Sequence, residues 1–327
     1  MGNDIKLTIG IPTYNGAKTI AETINSIIGQ LTYDNSNKIE ILISDNASND
    51  NLEKIIENYV QRYPDLFSYY RNSENLGFDK NVDLVFKRAK GYYVWVFGDD
   101  DSFNYSAINY ILDILETYPS IKVIFSNYEV CDARLVKKEI RGLKDIKEDI
   151  YCKDGDNFFQ KGQFLFGLIS SVIINKDEWN KIKDEKFSYY LWAYVFSMIK
   201  ILAIDGESYI VAKKLFNLRT GQKRWESDGS SLKILLGILD VFNNMKRLGY
   251  QDKTYHHLVS EVFQYNLLWI INAKIRGFKN SKIIYKHMIK FFKRYPFFWL
   301  IHLPVLFMPN LILIGLNNTR KWLKGIY

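Results

Sequence analysis

The sequence predicts an α/β fold over its first 220 residues and a separate helical region after them. Short apolar runs alternate with amphipathic segments of helix length up to about Gly221. This β-α-β-α order is typical of a mostly parallel sheet with helices on its faces. Beyond Gly221, helical patterns follow one another without intervening strands, so we place domains at residues 1–220 and 221–327.

The predicted strands are short apolar runs, and the fourth is apolar throughout, as buried parallel strands are. They lie at Leu7–Ile11, Ile39–Ile43, Phe67–Tyr70, Tyr92–Phe97, Lys122–Tyr128 and Ser170–Asn175, with an edge strand at Tyr209–Leu215. Helices are expected where apolar residues recur every three or four positions, including about Ser106–Tyr118 and Tyr189–Leu202. The polar stretch 134–164 predicts an irregular insertion over one edge of the sheet.

Composition excludes several classes of protein. Hydrophobic residues make up 47% of the 327 residues and charged residues 24%, which is ordinary for a globular chain and excludes a disordered one. The two cysteines, Cys131 and Cys152, encode neither a disulfide framework nor a cysteine-rich metal site. Because a strand-like run follows Met1–Lys6 directly, no signal peptide is expected, and the expected compartment is the cytoplasm.

The positive charge is concentrated at the end of the chain. Residues 264–327 contain eleven Lys and Arg and no Asp or Glu, so that residues 1–263 carry a net −3 although the whole chain carries +8. A basic region on a mildly acidic body favours an anionic surface, either nucleic acid or lipid headgroups.

Two patterns in this region favour a membrane, and the second of them, an apolar run between the charges, argues against nucleic acid as the partner. Five lysines recur among apolar residues as on a basic amphipathic helix of a membrane interface, namely Lys279, Lys282, Lys286, Lys290 and Lys293. Phe297–Leu316 is strongly apolar but interrupted by prolines, so we expect a broken, in-plane or re-entrant segment. Basic residues on both flanks favour the cytoplasmic side. The alternative is a buried helical hairpin in a homo-oligomer interface.

Polar segments follow three of the predicted strands. They are Pro12–Gly16 after the first strand, Ser44–Ser48 after the second and Gly98–Asp101 after the fourth. Ligands bind beyond the carboxyl ends of parallel strands, so we expect these segments to line one crevice. The chain lacks both G-x-G-x-x-G after the first strand and G-x-x-x-x-G-K-[ST], which disfavours dinucleotide redox enzymes and P-loop NTPases.

The adjacent carboxylates of Asp99, Asp100 and Asp101 are the sharpest feature of these segments. Neighbouring carboxylates raise each other's pKa, and a divalent cation removes that cost. Oxygen ligands select Mg²⁺ or Mn²⁺, which would bridge a diphosphate. A solvated acidic loop is the alternative, but the position after the fourth strand favours the metal. Asp45 has two interpretations, an acceptor for the N3–H of a uracil-like base and an Asx turn that closes the strand.

Four segments carry a resemblance to a known family. They are Ile9–Asn15, Ile43–Asp50, Asn75–Asn81 and Phe97–Asp101. In this order and spacing they resemble the signature of family-two glycosyltransferases with the GT-A fold, a Rossmann-like α/β fold. The Gly-Asp-Asp-Asp form looks most like bacterial O-antigen and capsule sugar transferases of the abequosyltransferase type. The resemblance covers roughly residues 7–105.

The resemblance implies a nucleoside diphosphate sugar donor, a divalent cation and inversion of the anomeric centre. Thr13, Tyr14 and Asp45 would hold the base and ribose, and Asp99 to Asp101 would serve the ribose and the metal. Asp100 matches the family's usual metal-binding aspartate, and Asp101 is grouped with it as a metal ligand. Two further residues within the matching segments are predicted donor contacts, Pro12 and Lys80.

An inverting transferase needs a general base near the acceptor hydroxyl. Many relatives carry an acidic pair at the start of the helix that is expected here near Tyr189, and this sequence has none there. Asp184 and Glu185, just upstream, are the predicted bases, and Asp177 and Glu178 are the alternative. Acids that flank a helix are also ordinary solvated caps.

The sequence therefore predicts a glycosyltransferase at the cytoplasmic face of the cell membrane, with a polyprenyl-diphosphate-linked glycan as acceptor and no nucleic acid partner. The segment Arg219–Trp225 is predicted either as a loop near the donor phosphates or acceptor, or as a basic linker between the domains. The alternative function is a non-catalytic nucleotide-sugar-binding or assembly subunit, which the missing acidic pair favours.

Overall fold

The chain divides into two compact units, Met1–Gly221 and Gln222–Tyr327. The structure, a computed structural model, describes residues 5–137, 146–162, 167–182, 184–189, 191–203, 206–221, 230–275 and 281–315.

The described strands of the first unit form one nine-stranded sheet. They are β1 (Leu7–Thr13), β2 (Ile39–Asp45), β3 (Phe67–Arg71), β4 (Tyr93–Val96), β5 (Ser102–Phe103), β6 (Val123–Cys131), β7 (Ile150–Cys152), β8 (Val172–Asn175) and β9 (Ser208–Arg219). Their order is β3-β2-β1-β4-β8-β6-β9-β5, with β7 also paired to β9.

The sheet is mixed, whereas the sequence predicted a mostly parallel one. β3, β2, β1 and β4 run parallel, and β6 runs parallel to β9. β8 lies between β4 and β6 and is antiparallel to both. Because β8 is buried on both faces, it has the same continuous apolar run as a parallel strand, and such a run does not encode direction.

Two further predictions about strands need correction. β9 lies inside the sheet, since it pairs with β6 on one side and with β5 and β7 on the other, so the predicted edge strand at Tyr209–Leu215 is wrong. The polar stretch 134–164 is not wholly irregular, because it contributes β7 and the helix that follows it. Residues 138–145 and 163–166 lie outside the described residues.

Seven helices accompany the sheet in the described part of the first unit. They are α1 (Ile20–Ile28), α2 (Leu52–Arg62), α3 (Phe78–Arg88), α4 (Ala107–Thr117), α5 (Gly155–Gly162), α6 (Lys176–Asn180) and α7 (Ala193–Leu202). Short 3₁₀ turns lie at Ser36–Lys38, Ile169–Ser171 and Asp184–Ser188. α7 begins four residues later than predicted, because Leu191 has a φ of +63°, which an α-helix of L-residues does not accommodate.

α3 begins at the carboxyl ends of the strands and packs closely on the sheet. Its N-cap, Gly77, has a φ of +82°, a conformation that favours glycine. At Gly10 of β1, an added Cβ would lie 2.2 Å from Cγ1 of Val85 in α3. The glycine of Ile9-Gly10-Ile11 therefore sets the distance between α3 and β1.

The described part of the second unit is helical. It contains α8 (Ser230–Phe242), α9 (Asp252–Ile275), α10 (Ser281–Phe292) and α11 (Leu303–Phe307), with a 3₁₀ turn at Met245–Leu248 and a π-helical turn at Phe298–His302. α10 packs against α8 and α11 and buries Ile284, Met288, Phe291 and Phe292. They belong to the apolar residues between the five lysines, on the helix that the sequence predicted to lie in a membrane interface. Because they are buried, the prediction that they enter the interface is wrong. Lys279 lies outside the described residues.

The segment after α10 leaves many apolar side chains exposed. It is held on α9 by Nζ of Lys274, which donates to the carbonyl of Leu306 at 2.7 Å, and by a 3.3 Å contact between Asn266 and His302. We call its exposed side chains the apolar patch: Phe297, Trp299, Leu300, Ile301, Phe307, Leu311 and Ile312. In the described parts of the chain, every helix is too short or too polar to cross a membrane.

Candidate functional site

The carboxyl ends of β1, β2 and β4 meet at one edge of the sheet. Thr13 is in register with Asp45, and the N–H of Asn46 donates to the carbonyl of Thr13 at 2.9 Å. β4 pairs with β1 on the other side. The segments that follow these strands therefore lie side by side. We call this edge the strand-end site and define it by Thr13, Asp45, Asp99 and Asp100.

Thr13 and Asp99 are in direct contact in this site. Oγ1 of Thr13 donates to Oδ2 of Asp99 at 2.6 Å, and both side chains are buried. Gly16 lies against the pair, because an added Cβ would be 2.2 Å from Oδ2 of Asp99 and 2.4 Å from Oγ1 of Thr13. The hydrogen bond fixes the orientation of the Asp99 carboxyl group. It also fixes the loops after β1 and β4 relative to each other.

Asp45 is fully buried, and three groups of the chain engage its carboxylate. Oδ1 accepts from the N–H of Ser48 at 2.9 Å, which closes the turn after β2. Oδ2 accepts from the hydroxyl of Tyr69 at 3.0 Å and lies 3.4 Å from Nε of Arg71. Burial and the carboxylate of Asp45 raise the pKa of Tyr69, so its hydroxyl remains a donor. The turn-closing interpretation is thereby satisfied, and base binding stays a prediction.

Tyr14 is the accessible aromatic residue of this site. It follows β1 directly, and 44% of its surface is exposed. An exposed ring beside buried polar groups offers a flat surface on which a nucleotide base can stack. Tyr14 therefore remains the predicted base contact that the geometry supports best.

Asp101 anchors the loop between β4 and β5. Its Oδ2 accepts from the hydroxyl of Ser170 at 2.7 Å, and its Oδ1 accepts from the N–H of Arg219 at 3.0 Å. The hydroxyl of Ser170 also accepts from the N–H of Gly98 at 3.0 Å. Burial raises the pKa of Asp101 to about 7, and the negative charge of Asp100 adds to the rise. Groups of the chain thus engage both oxygens of a residue that the sequence grouped with the metal ligands.

Asp100 is the most exposed of the three aspartates. No cluster of three or more His, Cys, Asp or Glu residues within the described ranges is arranged to hold a metal ion. A nucleotide-bound Mg²⁺ does not need such a cluster, because it takes one or two carboxylates and completes its shell with phosphate oxygens and water. Burial is the larger cause of the raised pKa of Asp101, and the negative charge of Asp100 is the second; a cation at Asp100 would relieve this second contribution. The residues therefore fit a cation held in this way.

Arg219, the last residue of β9, is used inside the first unit. Its Nε donates to the carbonyl of Asp100 and its Nη1 to the carbonyl of Ala133, each at 2.7 Å. Its Nη2 pairs with Glu22 of α1. The guanidinium therefore holds the loop that carries Asp100 against the first unit. Residues 222–225 of the predicted loop lie outside the described residues.

Asn46 holds the loop before α3 against the end of β2. Its Nδ2 donates to Oδ1 of Asn75 at 2.7 Å and to the carbonyl of Gly77 at 3.3 Å. Its Oδ1 accepts from the N–H of Leu76 at 2.9 Å. The third matching segment thus reaches the strand-end site, and Lys80, its predicted donor contact, is exposed.

The described side chain of the predicted acidic pair does not lie at the start of α7. Glu185 is exposed and pairs with Lys200, which lies two turns into that helix. Its carboxylate therefore lies beside the flank of α7. The side chain of Asp184 is outside what the structure describes. Lys186, the next residue in this 3₁₀ turn, is buried and lies 2.5 Å from Asp83 of α3. This ion pair fixes the turn on α3.

The alternative pair lies at the opposite edge of the sheet. Asp177 and Glu178 begin α6, where their N–H groups donate to the side chain of Asn175. The N–H of Lys176 donates to the carbonyl of Tyr92, next to the amino end of β4. These two acids therefore lie in the first turn of a helix that Asn175 caps, at the end of the sheet opposite the strand-end site. The geometry does not support a role for them as the base.

The carboxylate that does lie at the start of α7 belongs to Asp79, in the first turn of α3. Its Oδ2 accepts from the N–H of Leu191 at 2.6 Å and its Oδ1 from the N–H of Ala193 at 3.3 Å. Trp192, the N-cap, supplies no side-chain cap of its own. Burial raises the pKa of Asp79 to about 6, against the two N–H donors that lower it.

Sequence reasoning missed several residues of this region. Asp79, Arg71, Tyr69 and Ser170 each contact a predicted site residue or the start of α7 from a distant part of the chain. A signal existed for Asp79 alone, since it lies inside one of the four matching segments.

Sequence comparisons match most of the chain to known glycosyltransferases. The profile of the family described as Glycosyl transferase family 2 matches residues 8–174. The chain is 28% identical to the abequosyltransferase RfbV of Salmonella typhimurium over 238 residues, which cover 70% of this chain and 71% of that protein. It is 23% identical to the GalNAc(5)-diNAcBac-PP-undecaprenol beta-1,3-glucosyltransferase of Campylobacter jejuni over 299 residues, 87% of each protein.

Solved structures share the fold. S. aureus TarS 1–349 in complex with UDP-GlcNAc superposes with a TM-score of 0.63 at 16% identity, covering 89% of this chain and 82% of that one. A mannosyltransferase of Pyrobaculum calidifontis in complex with GDP-Man and Mn²⁺ gives a TM-score of 0.57 at 13% identity, covering 96% and 87%. At these identities the likeness shows a GT-A-like fold and nothing more specific.

Proposed function

The chain belongs to glycosyl transferase family 2 and is a glycosyltransferase, and on that basis we propose that it transfers one sugar from a nucleoside diphosphate sugar to a lipid-linked glycan in the synthesis of a cell-surface polysaccharide. The strand-end site carries this proposal, because it places Tyr14, the Thr13–Asp99 pair and Asp100 at one edge of the sheet. The Campylobacter relative is named for an undecaprenol-diphosphate-linked acceptor, which supports the same class of acceptor here.

The donor is proposed to bind with its base beside Tyr14 and its diphosphate beside Asp100. Pro12 and Thr13 would line the base and ribose, with Asp45 behind them. Asp99, oriented by Thr13, would accept from a ribose hydroxyl. Lys80 is proposed as an exposed cation within reach of donor oxygens. These roles divide the site into a buried part that is already ordered and an accessible part that meets the ligand.

A divalent cation, Mg²⁺ or Mn²⁺, is proposed to be held by Asp100 and the donor diphosphate. When bound, it would neutralise negative charge on the leaving nucleoside diphosphate. The loop around the proposed metal ligand is already ordered. Arg219 donates to the backbone carbonyl of Asp100, and Ser170 donates to the carboxylate of Asp101. Asp101 is thus proposed to support the loop first and to contact the metal only if its hydrogen bonds rearrange.

Transfer is proposed to invert the anomeric centre. The acceptor oxygen would approach the anomeric carbon from the side opposite the leaving diphosphate, and a carboxylate would take the hydroxyl proton. Asp184 and Glu185 are the candidates from the sequence. Family membership favours an enzyme over the non-catalytic subunit that the missing acidic pair left open.

The second unit is proposed to bind the cytoplasmic face of an anionic membrane as a peripheral domain. Apolar side chains that are exposed to solvent mark interaction sites, and here Leu300 and Leu311 are 72% and 84% exposed. Exposed basic residues precede this apolar patch, including Lys286, Lys290 and Lys293. Apolar insertion flanked by basic residues fits an anionic lipid surface. A homo-oligomer interface at the apolar patch is the alternative.

A donor panel tests the function directly. The full chain would be incubated with UDP-, GDP-, CDP- and dTDP-sugars, Mn²⁺ and a membrane extract of the source cell as acceptor. Mass spectrometry of the lipid-linked fraction should show a mass increase of one sugar for one donor class. If no donor yields a glycosylated lipid product, the proposed acceptor class is wrong.

A further inference from the structure

The acid at the start of α7 comes from another helix, and we propose that this residue, Asp79, accepts the proton of the acceptor hydroxyl during sugar transfer. The inference rests on the proposed function and assigns the catalytic base that the sequence of α7 lacks. It replaces Asp184 and Glu185 in that role.

Asp79 lies at the same edge of the sheet as the strand-end site. It follows Gly77 by two residues, and the carbonyl of Gly77 accepts from Nδ2 of Asn46. Asn46 in turn follows Asp45 directly at the end of β2. The first turn of α3 is therefore tied to the end of β2, which carries the predicted donor contact Asp45. A carboxylate in this turn lies on the side of the sheet where the donor is proposed to bind.

Backbone donors orient the carboxylate of Asp79. The N–H groups of Leu191 and Ala193 each donate to a different oxygen. Leu191 is held at a φ of +63°, which non-glycine residues adopt rarely and which concentrates at functional sites. A carboxylate has about four lone-pair positions, so two donors fix its orientation and leave capacity to accept a proton from a bound hydroxyl.

Within the described ranges, the charge of Asp79 has no cationic partner. Among the described residues, no Lys, Arg or His forms an ion pair with it, and only 9% of its surface is exposed. The ionisable groups around Asp79 lie on α3, on α7 and on the 3₁₀ turn before α7. They are Lys80, which is exposed, Tyr194, and Asp83 with its partners Lys87 and Lys186. Asp83 is neutralised by two lysines, so it does not compete for the role.

Burial of an uncompensated carboxylate is costly, and its retention points to function. The pKa of Asp79 is raised to about 6 by burial, which makes it a stronger proton acceptor than an ordinary aspartate while it remains ionised at pH 7. Glu185 differs in both respects, because it is exposed and its charge is paired with Lys200.

The proposed step balances as a substitution with proton transfer. The acceptor oxygen forms a bond to the anomeric carbon while the bond from that carbon to the diphosphate oxygen breaks. The electron pair of the broken bond leaves with the nucleoside diphosphate. The proton of the acceptor hydroxyl passes to the carboxylate of Asp79, which returns it to solvent after the product leaves.

The test is Asp79→Asn in the full chain. Asparagine keeps the volume and one acceptor for the N–H of Leu191 but removes the basic oxygen. With the nucleotide sugar that the wild type consumes and the source-cell membrane extract, kcat should fall about 10²–10⁴-fold. Donor affinity by calorimetry should not change. The wild-type kcat/KM should decline below about pH 6, and the residual activity of the variant should lack this acid limb.

Thermal unfolding separates a base from a purely structural cap. If Asp79 only caps α7, the substitution should lower the melting temperature, because a hydrogen-bonded cap is weakened. If Asp79 is an uncompensated charge kept for catalysis, the melting temperature at pH 7.5 should stay the same or rise. Asp83→Asn, one turn further along α3, is the matched control; it should lower the melting temperature and keep the acid limb.

Three results would overturn the assignment. The first is a kcat in Asp79→Asn equal to that of the wild type. The second is a loss of activity in Asp79→Asn that is matched by lost donor binding or by a lower melting temperature. The third is a large loss of kcat in Glu185→Gln or Asp184→Asn. Failure of the wild type to glycosylate any lipid acceptor would instead remove the proposed function. The two failures are therefore distinguished by the wild-type reaction alone.

Discussion

The hydroxyl of Thr13 donates to the carboxylate of Asp99 across 2.6 Å, although the two residues are 86 positions apart in the chain. The contact joins the loop after β1 to the loop after β4, which are neighbours in the sheet. It orients a buried carboxylate before any ligand arrives. Preorganisation of this kind lowers the entropy that must be lost when a ligand binds.

Thr13→Val should weaken donor binding without unfolding the protein. Valine keeps the shape of threonine but leaves the buried carboxylate of Asp99 without its hydroxyl donor. Without this hydrogen bond the carboxylate must be ordered when the donor binds, which costs about 0.5–1.5 kcal/mol, so we expect donor affinity to fall about two- to tenfold. Isothermal calorimetry with the nucleotide sugar that the wild type consumes measures this effect.

Gly16→Ala tests the same contact from the side of the glycine. The added Cβ would overlap both Oδ2 of Asp99 and Oγ1 of Thr13, so that the pair must separate. Donor affinity should fall at least as much as in Thr13→Val. Ala17→Ser is the matched control, because Ala17 is next to Gly16 and half-buried, and this variant should bind the donor normally. Unchanged affinity in Gly16→Ala would contradict the account of this site.

Asp100→Asn should abolish metal-dependent donor binding while the fold stays intact. The substitution removes a ligand charge at constant volume on a half-buried residue. Calorimetry with donor in the presence of Mn²⁺ or EDTA measures the dependence. In the wild type EDTA should weaken binding strongly, and in the variant it should have little further effect. Wild-type turnover in EDTA would show that no metal is needed.

Most strands and helices of the first unit follow from local patterns. β2 and β4 are short apolar runs, and α4 shows the expected period, so their positions were predictable within one or two residues. The direction of β8 and the interior position of β9 were not, because both depend on which strands pair. Pairing is decided by contacts between distant segments, and a single sequence does not display them.

The site was predictable where function concentrates in short segments. Thr13, Asp45 and Asp99 do meet at one edge, since parallel strands bring their carboxyl ends together. What the sequence could not show is which oxygens the chain itself already occupies. Asp101 and Asp45 look equivalent to Asp100 in the sequence, but their hydrogen bonds to Ser170 and Tyr69 distinguish them. Asp79 was missed because its partners lie 112 residues or more away.

Lys186→Met should destabilise the first unit. Lys186 is buried and lies 2.5 Å from Asp83, whose Oδ1 also accepts from Nε1 of Trp179. Removing one partner of a buried ion pair costs about 3–5 kcal/mol, and Lys87 on the other oxygen of Asp83 should keep the loss near the lower end. Urea denaturation measures the change in free energy of unfolding, with Lys181→Met, an exposed neighbour, as control. A change no larger than that of the control would contradict the role of this pair.

Asp79→Asn should also change how stability depends on pH. The pKa of Asp79 rises from 3.8 to about 6 on folding, so between about pH 4 and pH 6 the folded state holds a proton that the unfolded state releases. Stability from this group is therefore lost as the pH rises through that window. The variant should lack this loss and gain up to about 3 kcal/mol relative to the wild type above pH 6. Urea denaturation at pH 4.5 and 7.5 measures the difference, and parallel pH dependence in both proteins would contradict it.

Binding to anionic vesicles should need both the basic residues and the apolar patch of the second unit. Each basic residue near an anionic surface contributes about 1 kcal/mol, so Lys286→Glu with Lys293→Glu should reduce binding to phosphatidylglycerol vesicles at low salt by at least about tenfold. Lys54→Glu, on the exposed side of α2, is the matched control and should bind normally.

High salt should release only part of the wild-type protein from the vesicles, because salt does not screen apolar insertion. Leu300→Ser with Leu311→Ser should remove this salt-resistant part and leave the melting temperature unchanged, since both side chains are exposed. If the wild type does not sediment with the vesicles, the membrane proposal is wrong. If the serine variant changes only the oligomeric state, the apolar patch is instead an interface between subunits.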